Sequence, residues 1–142
     1  MFNRFTLRAD QVLFYARSEV SEFGSSAIEP EHILLGLLDE GKGLGNRILA
    51  RTGVALDDVR SEIVSGLTVH ATVPESARIP FSPSSERALQ YAAEEADRLS
   101  HRYIGTEHLL LGLLREEGSA SAEVLTASGL RIEAVQIGRA HV

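Results

Sequence analysis

The stretch Ile28-Glu29-Pro30-Glu31-His32-Ile33-Leu34-Leu35-Gly36-Leu37-Leu38 returns, 76 residues later, as Ile104-Gly105-Thr106-Glu107-His108-Leu109-Leu110-Leu111-Gly112-Leu113-Leu114. The same offset, with no gap, pairs Phe5 with Phe81, Thr6 with Ser82, Leu13 with Leu89, Tyr15 with Tyr91, Glu19 with Glu95, Glu40 with Glu116, Gly53 with Gly129 and Val59 with Val135. A register held this long means one structural unit used twice. Each half is too short to bury a comfortable core, whereas 142 residues suffice for one ordinary domain. The two copies are therefore expected to share a core, and any functional group in one copy is to be sought in the other.

Local signals predict an all-α chain. Thr6 caps a first helix with Val12, Ala16, Val20 and Phe23 on one stripe, ended by Gly24-Ser25-Ser26. A second helix opens at Glu29-Pro30-Glu31, where proline suits the first turn and the carboxylates complement the helix dipole. Gly36, inside its apolar run, costs about 1 kcal/mol relative to alanine and so marks a close helix crossing. A third helix covers residues 44–52, and a fourth uses Leu56, Val59, Ile63 and Leu67. Residues 68–80, with Pro74 and Pro80, read as a linker, in which Val69 to Val73 alternates like a short strand. Ser82-Pro83 restarts the cycle as cap and first helical residue. The fifth helix carries Leu89, Ala92, Ala96 and Leu99, its alanines pointing to close packing; Thr106 reads as the cap of the sixth. A seventh spans 119–128 and an eighth starts near Ile132. The expected domain is residues 1–136, as repeats of about 1–67 and 81–136. The last six residues, Ile137 to Val142, match nothing in the first copy and read as the one-frame translation of a sequencing-library adapter. On that reading the tail is non-native, the eighth helix is truncated, the natural chain continues, and His141 carries no function.

Composition excludes several classes. No apolar run approaches the ~18 residues of a membrane helix, and residues 1–5 lack the apolar stretch of a signal peptide. Without cysteine there are no disulfides or thiolate metal sites. A net charge of −6 without a basic cluster is unsuited to duplex nucleic acid. The glycines stand singly, in neither G-x-x-x-x-G-K-[ST] nor G-x-G-x-x-G, so a P-loop nucleotide site is absent.

Glu31-His32 and Glu107-His108 are adjacent pairs. Neighbouring helical side chains diverge by about 100° and do not converge on one ion. The plain reading is that each histidine hydrogen-bonds within its own first turn. The helix starts offer more. Thr6 and Ser82 head one equivalent pair of helices, Glu31 and Glu107 another. A helix N-terminus suits an anion such as phosphate, and a carboxylate suits a guanidinium. On the residues alone, plain capping and dipole balance remain the simpler account.

Met1-Phe2-x-Arg4-Phe5-Thr6, the twice-used E-H-x-L-L-G-L-L, Tyr103-Ile104-Gly105-Thr106-Glu107-His108 and Ile79-Pro80-Phe81-Ser82-Pro83 resemble the N-terminal domain of the ClpC class of Clp unfoldases, from Met1 to about Gln136. The resemblance implies an all-helical domain of two four-helix repeats related by a pseudo-twofold, without catalysis or a cofactor of its own. It implies a bacterial, cytoplasmic role in protein quality control: receiving adaptor proteins and substrates for an attached ATPase ring that feeds a protease. It further implies recognition of phosphoarginine, with Thr6 and Glu31 forming one pocket and Ser82 and Glu107 the other.

Two departures from that family pattern bear on the pockets. Glu29-Pro30 stands where the family has Gly-Thr, adding negative charge and removing an N–H where a phosphate would approach. The second copy keeps Gly105-Thr106, and Ser82 keeps a hydroxyl, so the second copy is the expected stronger site. Glu22-Phe23-Gly24-Ser25-Ser26 also replaces the usual L-[GN]-H segment. Two other readings stay open: a free-standing protein of the same fold that binds peptides or adaptors, and an enzyme using Glu31 and Glu107.

Overall fold

A computed structural model describes residues 4–67 and 78–140, with side chains to residue 136. Eight helices are present among them: α1 (Leu7–Phe23), α2 (Pro30–Glu40), α3 (Leu44–Arg51), α4 (Leu56–Gly66), α5 (Pro83–Arg98), α6 (Thr106–Arg115), α7 (Ala120–Ala127) and α8 (Ile132–Ala140). The expected strand over 69–73 lies outside the described residues, as do the side chains of 137–142. The backbone of α8 runs on to Ala140.

The predicted punctuation holds. Thr6 accepts the Ala9 N–H at 3.1 Å and Ser82 the Ser85 N–H at 3.1 Å, while Gly24 ends α1 in the left-handed conformation. Thr106 departs from expectation. It is the first residue of α6, with Gly105 as the cap, and its hydroxyl accepts the Gly45 N–H of α3 at 2.8 Å. The hydroxyl is drawn away from its own helix because Gly43 and Gly45, lacking side chains, let the start of α3 press against it.

Each repeat is built on a helical hairpin, α1 against α2 and α5 against α6. Gly36 and Gly112 permit the two crossings: a β-carbon there would overlap the carbonyl oxygen of Val12 or Ala88, respectively. Between repeats, α3 packs on α6 and α2 on α7; α3 on α8 and α4 on α7; α1 on α6 and α2 on α5. That reciprocal set is what a pseudo-twofold requires. One apolar cluster joins both halves, with Leu34, Leu37, Leu110 and Leu113 no more than 1% exposed. Truncating such a leucine to alanine costs roughly 2–5 kcal/mol.

Candidate functional site

Two short parallel bridges decide which helix starts meet. Phe5 pairs with Ile104, and Ile28 with Phe81. The Thr6 N–H donates to the Ile104 carbonyl at 3.0 Å, and the Ile104 N–H to the Arg4 carbonyl at 2.8 Å. In the mirror arrangement the Ser82 N–H donates to the Ile28 carbonyl at 3.0 Å, and the Ile28 N–H to the Pro80 carbonyl at 2.8 Å. The lead into α1 thus lies beside the lead into α6, and the lead into α5 beside the lead into α2. This corrects the pairing expected from sequence. Thr6 lines one cavity with Glu107, and Ser82 lies by the segment that leads to Glu31. The correction has a simple cause: a twofold brings one repeat's α1 end against the other's α2 equivalent.

The first crossing forms a cavity of about 470 Å³ whose wall includes Thr6, Leu7, Arg8, Tyr103, Gly105 and Glu107. Thr6 is half-buried, and Glu107 is only 4% exposed. The Glu107 carboxylate folds back over the helix start, so closely that a β-carbon on residue 105 would overlap its Oε1. Glycine at 105 is what allows that rotamer. The start of α1 beside it is unobstructed by proline, since Leu7 and Arg8 both carry N–H groups. Cavity and helix start together offer donors and a cation at one side and a buried carboxylate at the other.

The second crossing is poorer in donors. Pro83 and Pro30 are the first residues of α5 and α2, so both helix starts lack an N–H there. The Ser85 hydroxyl is committed to the Ile28 carbonyl at 2.6 Å. Burial, and then the neighbouring Glu29 charge, push the Glu31 carboxyl above its ordinary range, partly offset by a backbone hydrogen bond.

The histidines follow the plain reading. His32 Nδ1 accepts the Glu29 N–H, and His108 Nδ1 accepts the Gly105 N–H, each at 2.9 Å. Burial lowers the His32 pKa to about 4. The group sequence reasoning missed surrounds His108. Its Nε2 lies 3.2 Å from His101 Nδ1, and His101 stacks on Tyr103 at 4.9 Å between ring centroids. The first repeat has Ser25 and Ala27 at those positions, and its buried His32 Nε2 finds no partner among the described residues. The signal was present in the altered Ser25 segment, but the loss of a ring partner is visible only in three dimensions.

A second missed feature is the equivalent buried pair Glu19 and Glu95. Glu19 meets Arg60 Nη2 at 3.0 Å, while Arg60 Nη1 lies 3.0 Å from Asp39. Burial first, then hydrogen bonding and charge from Asp39, raise Glu19 to about 7, against the opposing pull of Arg60. For Glu95, burial also acts upward, but Gln136, Arg98 and Arg115 together outweigh it and hold the carboxyl below its usual range. The cations come from different positions in the two repeats, so these carboxylates read as structural. Among the described residues no group of three or more His, Cys, Asp or Glu side chains gathers to hold a metal ion. Nor is any helix among them long and apolar enough to cross a membrane.

Comparison with known proteins converges on one family. The model of the Clp repeat (R) N-terminal domain matches residues 4–128. Among curated proteins, the chain is 42% identical over 129 residues to the chloroplastic chaperone protein ClpC1 of Oryza sativa subsp. japonica, covering 91% of this chain and 14% of that one. It is 41% identical over 136 residues to an ATP-dependent Clp protease ATP-binding subunit ClpA homolog of Guillardia theta, covering 96% and 16%. The chain thus spans only about a sixth of the length of these relatives. Among solved structures, the N-domain of ClpV from Vibrio cholerae superposes with a TM-score of 0.83 at 21% identity, covering 98% of this chain and 84% of that one. The N-terminal domain of ClpD from Arabidopsis thaliana gives 0.74 at 23%, covering 97% and 93%. At 22% identity and a TM-score of 0.76, a complex of a ClpV N-domain with a VipB peptide covers 92% and 81%.

Proposed function

We propose that this chain, which belongs to the family of Clp repeat N-terminal domains, receives adaptor proteins and substrate proteins for an ATP-driven unfoldase ring of the ClpC type, and that it binds phosphoarginine-marked chains. The single observation that supports this most is the cavity joining Thr6 and the start of α1 to the buried Glu107 carboxylate. Phosphoarginine carries an anion and a guanidinium a few atoms apart. The α1 start with its N–H groups suits the phosphoryl group, and the carboxylate suits the guanidinium through a charge-assisted, bidentate pair. The Thr6–Glu107 cavity is the principal site, and the Ser82–Glu31 crossing a weaker one.

The named relatives include proteins called ATP-binding subunits of a protease and a domain solved with a bound peptide. Both favour a receiving module over an enzyme working through Glu31 and Glu107. The cytoplasm is the proposed compartment; the rice relative is a chloroplast protein. Residues 1–136 are proposed as the functional unit and 137–142 as dispensable. Removing those six residues should leave the melting temperature within a degree or two of the full chain. Calorimetric titration of the domain with free phosphoarginine tests the ligand: heat of binding is expected, and none would sink the assignment.

A further inference from the structure

The wall of the Thr6–Glu107 cavity includes a cation, Arg8, at a position where the other repeat has Ser84. Arg8 is the second residue of α1, with its side chain 52% exposed. Its Nη1 is 2.9 Å from Glu40 Oε2. The Glu40 carboxylate is itself 1% exposed and pinned by the turn after α2, accepting the Gly43 N–H at 2.7 Å and the Lys42 N–H at 3.3 Å. A fixed carboxylate therefore holds one nitrogen of the Arg8 fork, while Nε and Nη2 have no hydrogen-bond partner among the described residues.

The other repeat is built differently around the equivalent Glu116. Position 84 is serine, which donates to Glu116 Oε2 at 2.7 Å. Arg87, standing where the first repeat has Gln11, reaches the same oxygen with Nε at 2.9 Å and Nη2 at 2.8 Å. That guanidinium turns two nitrogens to its own carboxylate. Of the two arginines on this carboxylate pair, Arg8 alone is half engaged; at the other crossing Arg17 turns Nη1 to the Ile79 carbonyl at 3.1 Å and lays its guanidinium 5.4 Å over the Phe81 ring.

We infer that Arg8 is the phosphate-discriminating residue of the Thr6–Glu107 site, with Glu40 setting its orientation. This rests on the phosphoarginine reading above. The two remaining Arg8 nitrogens form a donor pair suited to phosphoryl oxygens, while Glu107 takes the guanidinium of the ligand. Plain arginine, a cation without the phosphoryl group, gains nothing from Arg8 and is repelled by it. The site thereby separates phosphorylated from unmodified arginine, a distinction Glu107 alone does not make.

The test is calorimetric titration of the domain in a Glu31→Ala background, which silences the weaker crossing, with phosphoarginine and with arginine as probes. Arg8→Gln should weaken phosphoarginine binding by about tenfold or more, the scale of a charge-assisted hydrogen bond, while arginine binding stays level or improves. Arg8→Lys keeps the charge but loses the fork and should fall between. Unchanged phosphoarginine affinity in folded Arg8→Gln, or an equal loss for both probes, overturns the inference and leaves the ligand assignment standing. Absence of phosphoarginine binding by the unmodified domain overturns both.

Discussion

The backbone N–H of Thr6 donates to the carbonyl of Ile104 at 3.0 Å, so the first capping residue of one repeat is tied to the residue just before the α6 cap of the other. The consequence is that each candidate site is composite. Neither repeat alone brings a capping hydroxyl together with a helix-start carboxylate, so the proposed ligand binding would depend on how the repeats dock.

The docking within each repeat rests on two glycines. Alanine at 36 or 112 gains about 1 kcal/mol of helix propensity, yet its β-carbon overlaps the Val12 or Ala88 carbonyl oxygen, on a neighbouring backbone that cannot yield cheaply. Overpacking should win, leaving each variant less stable by about 1–3 kcal/mol in urea unfolding. A more stable Gly36→Ala would show that the hairpin is looser than described.

Two buried groups give opposite pH slopes. Glu19, raised from 4.5 to about 7, holds a proton when folded that the unfolded chain has shed. Stability from this group is complete below pH 4.5 and is lost as pH rises through 7. His32, lowered from 6.5 to about 4, stays neutral when folded while the unfolded chain takes up a proton. Its contribution is complete above pH 6.5 and is lost as pH falls through 4. Glu19→Gln should therefore make stability climb more steeply with pH between 4.5 and 7, and His32→Gln should make it fall more steeply. Chemical denaturation at half-unit pH steps reads both, and a change of the opposite sign in either variant refutes the corresponding assignment.

The His101–His108 contact makes a third prediction. Because His108 Nδ1 accepts from Gly105, the ring proton of the neutral form sits on Nε2 and is donated to His101 Nδ1. His101→Ala removes that bond and the Tyr103 stack, for an expected loss of about 1–2 kcal/mol. Ser25→Ala, at the equivalent position, removes only a local contact with Ala27 and should cost less. Equal losses would mean that the histidine pair contributes nothing special to the second repeat.

Much of this was legible in the sequence, for identifiable reasons. Thr6, Ser82-Pro83, Gly24 and Gly36 act locally, so residue type and spacing sufficed. The repeat itself fixed the helix order. The pairing of Thr6 with Glu107 was not legible, because aligning the copies sets like beside like, whereas the twofold brings unlike ends together. Thr106 looked like a cap for a related reason: its partner, Gly45, lies in the other repeat. Arg8 and Arg87 are not at equivalent positions, so the alignment hid that both address the same carboxylate pair, Glu40 and Glu116.

The composite site ranks the two carboxylates. Glu107→Ala should weaken phosphoarginine binding by about 1.5–3 kcal/mol, the range for hydrogen bonds to charged groups. Glu31→Ala should matter less, since the helix starts at its crossing carry Pro30 and Pro83 and so lack an N–H there. Calorimetry on the two single variants checks this, and a larger loss from Glu31→Ala would reverse the ranking.

The most direct test of the crossed architecture is a pair of double-mutant cycles read by phosphoarginine affinity. One combines Thr6→Ala with Glu107→Ala, the other Thr6→Ala with Glu31→Ala. Residues in one site couple, and distant independent residues add within roughly 0.3–0.5 kcal/mol. Coupling above that level between Thr6 and Glu107, with additivity between Thr6 and Glu31, is the expected result. Coupling of Thr6 to Glu31, with additivity toward Glu107, would contradict the account.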